Sequence, residues 1–368
     1  MEKRGLIFIP DISGFTRFVN QTEIEHSRFI IQELLEILVN SNQIGLEISE
    51  IEGDAILFYK YGEAPELKDI YEQVEKMFCE FHRHLIAYER RRLCQCVACK
   101  SANELSLKVI THYGEFTGYN VKNFSKLIGK DIILAHQLLK NDIDQHEYWL
   151  VTDGLMQNES RENLPDWVNW NSSAKQTDNG MVGFRYIQLG PLKDTLPPDE
   201  PPQLDIKNKA KAFSISKEME GEINTVFYTA VDFSSRHRWQ VGVKRIDEVS
   251  HHLAQLGTKH RCVLEKGQVI MYTSNFSYSP DRIVYSETEQ KKKHEGFFIF
   301  EKTGNNRTRV TIEMYLKKNL FIQTIFNLTM KKKFEAMFRQ SLENLAVIAK
   351  DAKLPVDLEP VAESEHVH

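Results

Sequence analysis

Two aspartates stand at the ends of apolar runs. Asp11 closes "LIFIPD", and Asp54 follows the glycine of "EISEIEGDAILFYK". A carboxylate taken out of water is costly unless a partner neutralises its charge. Spacing leaves two arrangements open: one divalent cation shared by both, or a helix cap at Asp11 with a lysine against Asp54. "SGFT" opens a helix directly after Asp11, and the free N–H groups at a helix start favour phosphate. Two carboxylates beside such a start suit Mg²⁺ or Mn²⁺ bridging phosphate oxygens. The second group able to do chemistry is "CQCVAC", with Cys94, Cys96 and Cys99. Thiolates at this spacing suit Zn²⁺, with Cys79, His82, His84 and His112 as further ligand candidates. A reduced loop cluster and a redox-sensitive thiol set are the alternatives.

The elements that must position these groups alternate along the first half. Residues 5–10 read as a buried strand, and apolar residues at helical spacing follow to Leu38. "GLEISEIEGDAILFYK" reads as a hairpin turning at Glu52-Gly53. A helix over about 66–92 precedes the cysteines. Then come a strand "LSLKVITHYGEF", a helix over about 129–141 and a strand "YWLVTDG". This order predicts an α+β sheet.

Prolines and acids in "TLPPDEPPQLDIKN" cannot continue a helix or a central strand. They place a linker at 195–208 between a first domain, 1–194, and a second, 209–352. The acidic stretch 353–368 reads as a disordered tail. In the second domain a strand "AFSISKEMEG" and a short helix "EINTVFYTAVDF" precede a series of strands, including a hairpin turn at "TGNNR". One long helix over about 320–350 closes it.

Length and composition agree with two domains of ordinary globular make-up: 368 residues, 41% hydrophobic and 27% charged. The five cysteines, an odd number, fit a reducing cytoplasm better than a disulfide framework. No apolar run is long enough for a transmembrane segment, and neither export nor membrane insertion is expected. Residues 1–205 carry 21 basic against 32 acidic side chains, and residues 206–350 carry 25 against 15. The basic half lacks a recognition helix and interleaved aromatics, so nucleic acid is not expected as a partner.

"PDISGFTRF" followed by "EGDAILFY" resembles the two metal-binding motifs of the class III nucleotidyl cyclases, over roughly residues 4–190. The resemblance implies a ferredoxin-like cyclase fold, a homodimer with its site at the interface, and a nucleoside triphosphate as ligand. It further implies Mg²⁺ or Mn²⁺ on the catalytic pair Asp11 and Asp54, and a phosphate cradle at Ile12, Gly14, Phe15 and Thr16. Glu50 and Lys126 fall at the base-reading positions and Gln137 at the position of a catalytic arginine. "KLIGKDIILAHQL" departs from the family there. Ile133 replaces an asparagine that holds the ribose, and Gln137 keeps a donor but lacks the charge that stabilises a developing anion. Lys130, His136 and Lys193 are nearby polar groups able to compensate.

After residue 210 the order of helix, strands and long helix resembles the START-like (SRPBCC) helix-grip fold. That resemblance implies a pocket for a hydrophobic small molecule or lipid. Arg236, His237, Arg238, His251 and His252 are its polar candidates at the pocket mouth. "MKKKF" sets basic beside apolar residues, a pattern suited to anionic lipid.

Overall fold

The computed structural model describes residues 3–156, 164–177, 180–200, 208–247, 251, 253–291 and 294–352. The chain is mixed α+β and divides into two compact units. One comprises residues 1–87 and 101–199, the other 88–100 and 200–368.

In the first unit, β1 (Lys3–Ser13) leads into α1 (Phe15–Gln21) and α2 (Ile24–Asn40), then the hairpin β2 (Glu47–Glu52) and β3 (Ala55–Tyr61). α3 (Leu67–Arg91) and α4 (Val97–Ser101) precede β4 (Ser106–Val121), β5 (Phe124–Ile128) and α5 (Lys130–Leu138). β6 (Tyr148–Thr152), α6 (Asp153–Met156), β7 (Asn171–Thr177), β8 (Gly180–Gln188) and α7 (Gly190–Asp194) complete it. The sheet order is β2-β3-β1-β4-β6-β8-β7. β1 runs antiparallel to both β3 and β4, and β2 to β3. Helices join β1 to β2 and β3 to β4. This is the split βαβ arrangement of a ferredoxin-like core, with β1 central because Leu6, Ile7, Phe8 and Ile9 bury both of its faces.

Three features of this unit differ from the sequence reading. β4 does not stop at Phe116 but continues to Val121 and folds back as β5, turning at Lys122, a non-glycine residue with φ 54°. The turn is Lys122-Asn123, and its left-handed position is taken by lysine rather than by the glycine or asparagine that usually marks a hairpin. β7 and β8 form a further antiparallel pair. β7 reads "NSSAKQT" and is almost wholly exposed, so it carries no apolar alternation to announce it. Residues 88–100 group with the second unit rather than the first. There Leu93 N–H donates to Ala254 O at 3.3 Å and Leu256 N–H to Arg91 O at 2.8 Å.

The second unit contains β9 (Lys209–Glu220), α8 (Ile223–Val231), α9 (Arg236–Trp239) and six more strands. These are β10 (Val243–Asp247), β11 (Lys259–Leu264), β12 (Gln268–Ser279), β13 (Arg282–Glu289), β14 (Glu295–Gly304) and β15 (Arg307–Lys317). They form one antiparallel sheet in the order β10-β11-β12-β13-β14-β15-β9. The expected single closing helix is two, α10 (Leu320–Thr329) and α11 (Lys331–Asp351), broken at Met330. The Thr324 and Thr329 hydroxyls bond back to the Leu320 and Ile325 carbonyls, which favours a bend. Three lysines at the start of α11 oppose its dipole. Phe338, Leu342 and Leu345 of α11 join Phe227, Trp239 and Phe300 in the unit's core.

Candidate functional site

Asp11 lies near the end of β1 and Asp54 in the β2–β3 turn. The two are held together by register: Asp11 pairs with Ala55 across the strands, and Ile12 N–H donates to the Asp54 carbonyl at 3.0 Å. Gly53 adopts φ 61°, the left-handed conformation the tight turn requires. On its other side Asp11 is directly opposite Lys108 of β4. Lys108 Nζ lies 3.2 Å from Asp11 Oδ1 and also donates to Leu139 O at 3.3 Å.

The electrostatics follow from burial. Asp54 is pushed up to about 6, first by desolvation and then by the charge of Asp11. Asp11 is also raised, because its burial outweighs the pull of Lys108. Glu50, Glu52 and His136 join the two aspartates around a small recess of about 130 Å³. Four carboxylates face two lysines, Lys108 on Asp11 and Lys126 on Glu50, so the corner stays short of positive charge. Asp11 and Asp54 therefore fit a divalent cation, with Lys108 as its competitor at Asp11.

A larger cleft of about 740 Å³ opens over the same aspartates. One wall is the start of α1. Gly14 caps it at φ 88° and ψ −7°, accepting from Phe18 N–H at 2.9 Å, and Phe15, Thr16 and Arg17 line the cleft. Ile12 contributes little, its side chain being fully buried and its N–H already given to Asp54. The opposite wall is α5, whose Ile133, His136 and Gln137 follow helical spacing along one face, with Lys140 just beyond the helix end. Ile133 is 55% exposed there and offers the cleft no polar atom.

The base-reading candidates bond to each other: the Lys126 ammonium on β5 pairs with Glu50 of β2. Lys193 pairs with Glu147 at 2.6 Å, and Lys130 does not line the cleft. Lys108 and His146 line the cleft and Glu52 the recess, and none of the three is a site candidate from sequence, where Glu52 reads only as part of the turn. Lys108 is visible only once the β1–β4 register is known.

The cysteines divide. Cys94, Cys96 and Cys99 cluster, their Sγ atoms within 4.8 Å of one another. The other ligand candidates serve elsewhere in the first unit. His82 packs on the rings of Phe78 and Phe81, His84 pairs with Glu33 at 3.3 Å, and His112 bonds Thr152 at 2.8 Å.

In the second unit a cavity of about 870 Å³ lies between the sheet and α10–α11, lined by Val243, Leu316, Phe321, Phe334 and Met337. α10 leaves Leu320 84% and Leu328 81% exposed. Arg236 is not a surface residue at the pocket mouth: it is fully buried and forks onto Glu287, with its Nη2 also donating to Tyr285 Oη at 2.8 Å. Trp239 and Phe298 close around its guanidinium. His237, Arg238 and His251 do not line the cavity, and His252 lies outside the described residues.

A family described as a protein of unknown function (DUF2652) matches residues 31–148. The span includes Asp54, Lys108 and Gln137 and leaves out Asp11. Uncharacterized protein Rv2561/Rv2562 of Mycobacterium tuberculosis is 30% identical over 125 residues, 34% of this chain and 58% of that relative. The chain thus matches a little over half of that relative's length. Solved structures similar to the N-terminal half are class III cyclases. One is the catalytic core of a rhodopsin-guanylyl cyclase with converted specificity in complex with ATPalphaS, at 14% identity and TM-score 0.38, covering 51% of this chain and 96% of that one. Another is the adenylyl cyclase CyaB from P. aeruginosa, at 13% identity and TM-score 0.34, covering 51% and 95%. No helix among the described residues is long and apolar enough to cross a membrane.

Proposed function

We propose that the first unit binds a metal–nucleoside triphosphate in the manner of the class III nucleotidyl cyclases. The observation that carries this is the convergence of Asp11 and Asp54, in a corner short of positive charge, on a cleft walled by a helix start. Asp11 and Asp54 hold Mg²⁺ or Mn²⁺, and the Gly14–Thr16 turn faces the phosphates. When bound, the divalent ion supplies the charge neutralisation that lets a ribose 3′-hydroxyl approach the α-phosphate. Until that charge arrives Lys108 offsets part of the burial that raises Asp11. The Glu50–Lys126 pair stands where the base is read and must open to do so. By the same resemblance, a second copy of the chain completes the site.

A second reading, in which nucleotide is bound and sensed without conversion, is favoured by Ile133 and Gln137. Neither supplies the ribose contact nor the charge that turnover requires, and one missing anion-stabilising donor costs about two to three decades of rate. Under either reading, the apolar cavity of the second unit holds a hydrophobic small molecule or lipid.

The test is calorimetric binding of ATP, GTP, CTP and UTP with Mn²⁺ to the wild type and to Asp54→Ala, with product analysis of the same mixtures. Metal-dependent binding lost in the variant, with a cyclic product, supports the cyclase. Binding without product supports the sensor. Absence of nucleotide binding overturns both.

A further inference from the structure

We propose that Cys94, Cys96 and Cys99 form a zinc site that rivets the 91–99 segment. The inference is independent of the nucleotide reading.

The first support is geometric. A C-x-C-x-x-C spacing brings three Sγ atoms within 4.8 Å of one another without a disulfide among the described cysteines. Zn–S bonds are about 2.3 Å, so ligand sulfurs of a tetrahedral site lie about 3.8 Å apart. The observed spread needs only small side-chain rotations to reach that.

The second support is the hydrogen bonding of the sulfurs. Cys96 N–H points to Cys94 Sγ and Cys99 N–H to Cys96 Sγ, each at 3.4 Å. Tyr88 Oη–H donates to Cys99 Sγ at 3.0 Å. Every sulfur of a metal-bound set carries negative charge, and N–H and O–H donors aimed at sulfur stabilise it and orient the ligand.

The third is the rigidity of the frame. Gln95 N–H donates to Tyr228 Oη at 2.7 Å, and Arg92 Nη1 to Cys94 O at 2.9 Å. Lys100 N–H closes the turn onto Cys96 O at 3.0 Å. Together with the backbone bonds from residues 91–93 to 254–256, these fix the thiols before any ion arrives.

A redox role fits less well. The three cysteines are 7%, 0% and 1% exposed, whereas thiols that exchange disulfides are partly accessible. Zinc has no redox chemistry and is thiophilic. Binding replaces three S–H bonds by three Zn–S bonds and releases three protons to solvent, leaving a ZnS₃ unit of net charge −1. The fourth position takes a neutral donor, for which water suffices.

The experiment measures zinc by mass spectrometry on full-length protein purified without chelator. It also follows Co²⁺ uptake through the sulfur-to-cobalt charge-transfer and tetrahedral d–d bands. The expected result is about one equivalent of metal and a thiolate-rich cobalt spectrum. Cys262→Ser, at a buried cysteine away from the cluster, keeps both, and Cys96→Ser loses them. Tyr88→Phe leaves all three ligands in place and lowers metal affinity about ten- to a hundredfold. Should Cys96→Ser fail to fold, chelator titration of the wild type decides: loss of zinc lowers Tm and makes three further thiols titratable. Wild-type protein that carries no zinc and gives no sulfur-to-cobalt band, at neutral pH with reductant present, overturns the proposal.

Discussion

Lys108 stands directly across the β1–β4 ladder from Asp11, with its Nζ 3.2 Å from the carboxylate. The catalytic aspartate of the proposed site therefore already has a cation, and any metal must share it. At an effective dielectric of about 20, two unit charges about 4 Å apart interact by roughly 4 kcal/mol. Lys108→Met should thus raise Mn²⁺ affinity by about tenfold or more, with solvent screening taking part of that energy. Calorimetry with Mn²⁺ alone checks it. Unchanged affinity would show that the metal does not use Asp11.

Asp54 has its folded-state pKa raised from 3.8 to about 6. Between those values the folded state holds more protons than the unfolded chain. Its contribution to stability is complete below about pH 4 and is lost as pH rises through 6. Asp54→Asn removes this loss, so the variant should gain Tm relative to wild type as pH goes from 4 to 7. Scanning calorimetry at several pH values tests this. Mn²⁺ binds the ionised carboxylate, so wild-type affinity should climb over the same window. A Tm difference that is constant with pH would refute the assignment.

The central strand, the helix start and the hairpin turn were legible because each is written locally. Four apolar residues precede Asp11, a glycine follows it, and a second glycine precedes Asp54. Lys108 was not, because what brings it to Asp11 is cross-strand register, which no local pattern states. Arg236 misled for a related reason. A basic residue in "SSRHRW" reads as solvent-facing, and only the fold shows Glu287 and Tyr285 waiting for it on β13. The helix break at Met330 was hidden because apolar spacing continues through it, while the cause lies in threonine hydroxyls turned back on their own helix.

Arg236 and Glu287 are both buried and bonded to each other, so deleting one leaves the other's charge stranded. Arg236→Met should cost about 3–5 kcal/mol in denaturant unfolding of the second unit. Glu287→Gln should cost less, because its amide still accepts from the guanidinium. Replacing both by apolar residues of similar volume should recover most of the loss. Equal costs for the single and double replacements would mean that the pair acts only through packing. Such a result would also free Glu287, which lines the apolar cavity, for a role toward the ligand.

Ile133 and Gln137 lie on the α5 face that walls the cleft, one turn apart. If they are what limits turnover, restoring chemistry at those positions should release it. Gln137→Arg supplies a permanent cation with several donors, and Ile133→Asn supplies a ribose contact at a position already 55% exposed. Loss of one anion-stabilising donor typically costs about 10²–10³ in rate. The double variant should therefore form cyclic nucleotide about a hundredfold faster than wild type, with nucleotide affinity changed much less. Chromatographic product assay with Mn²⁺ and each triphosphate measures this. If affinity rises and no product appears, the α5 face binds nucleotide without presenting its ribose to the α-phosphate, and the sensor reading stands.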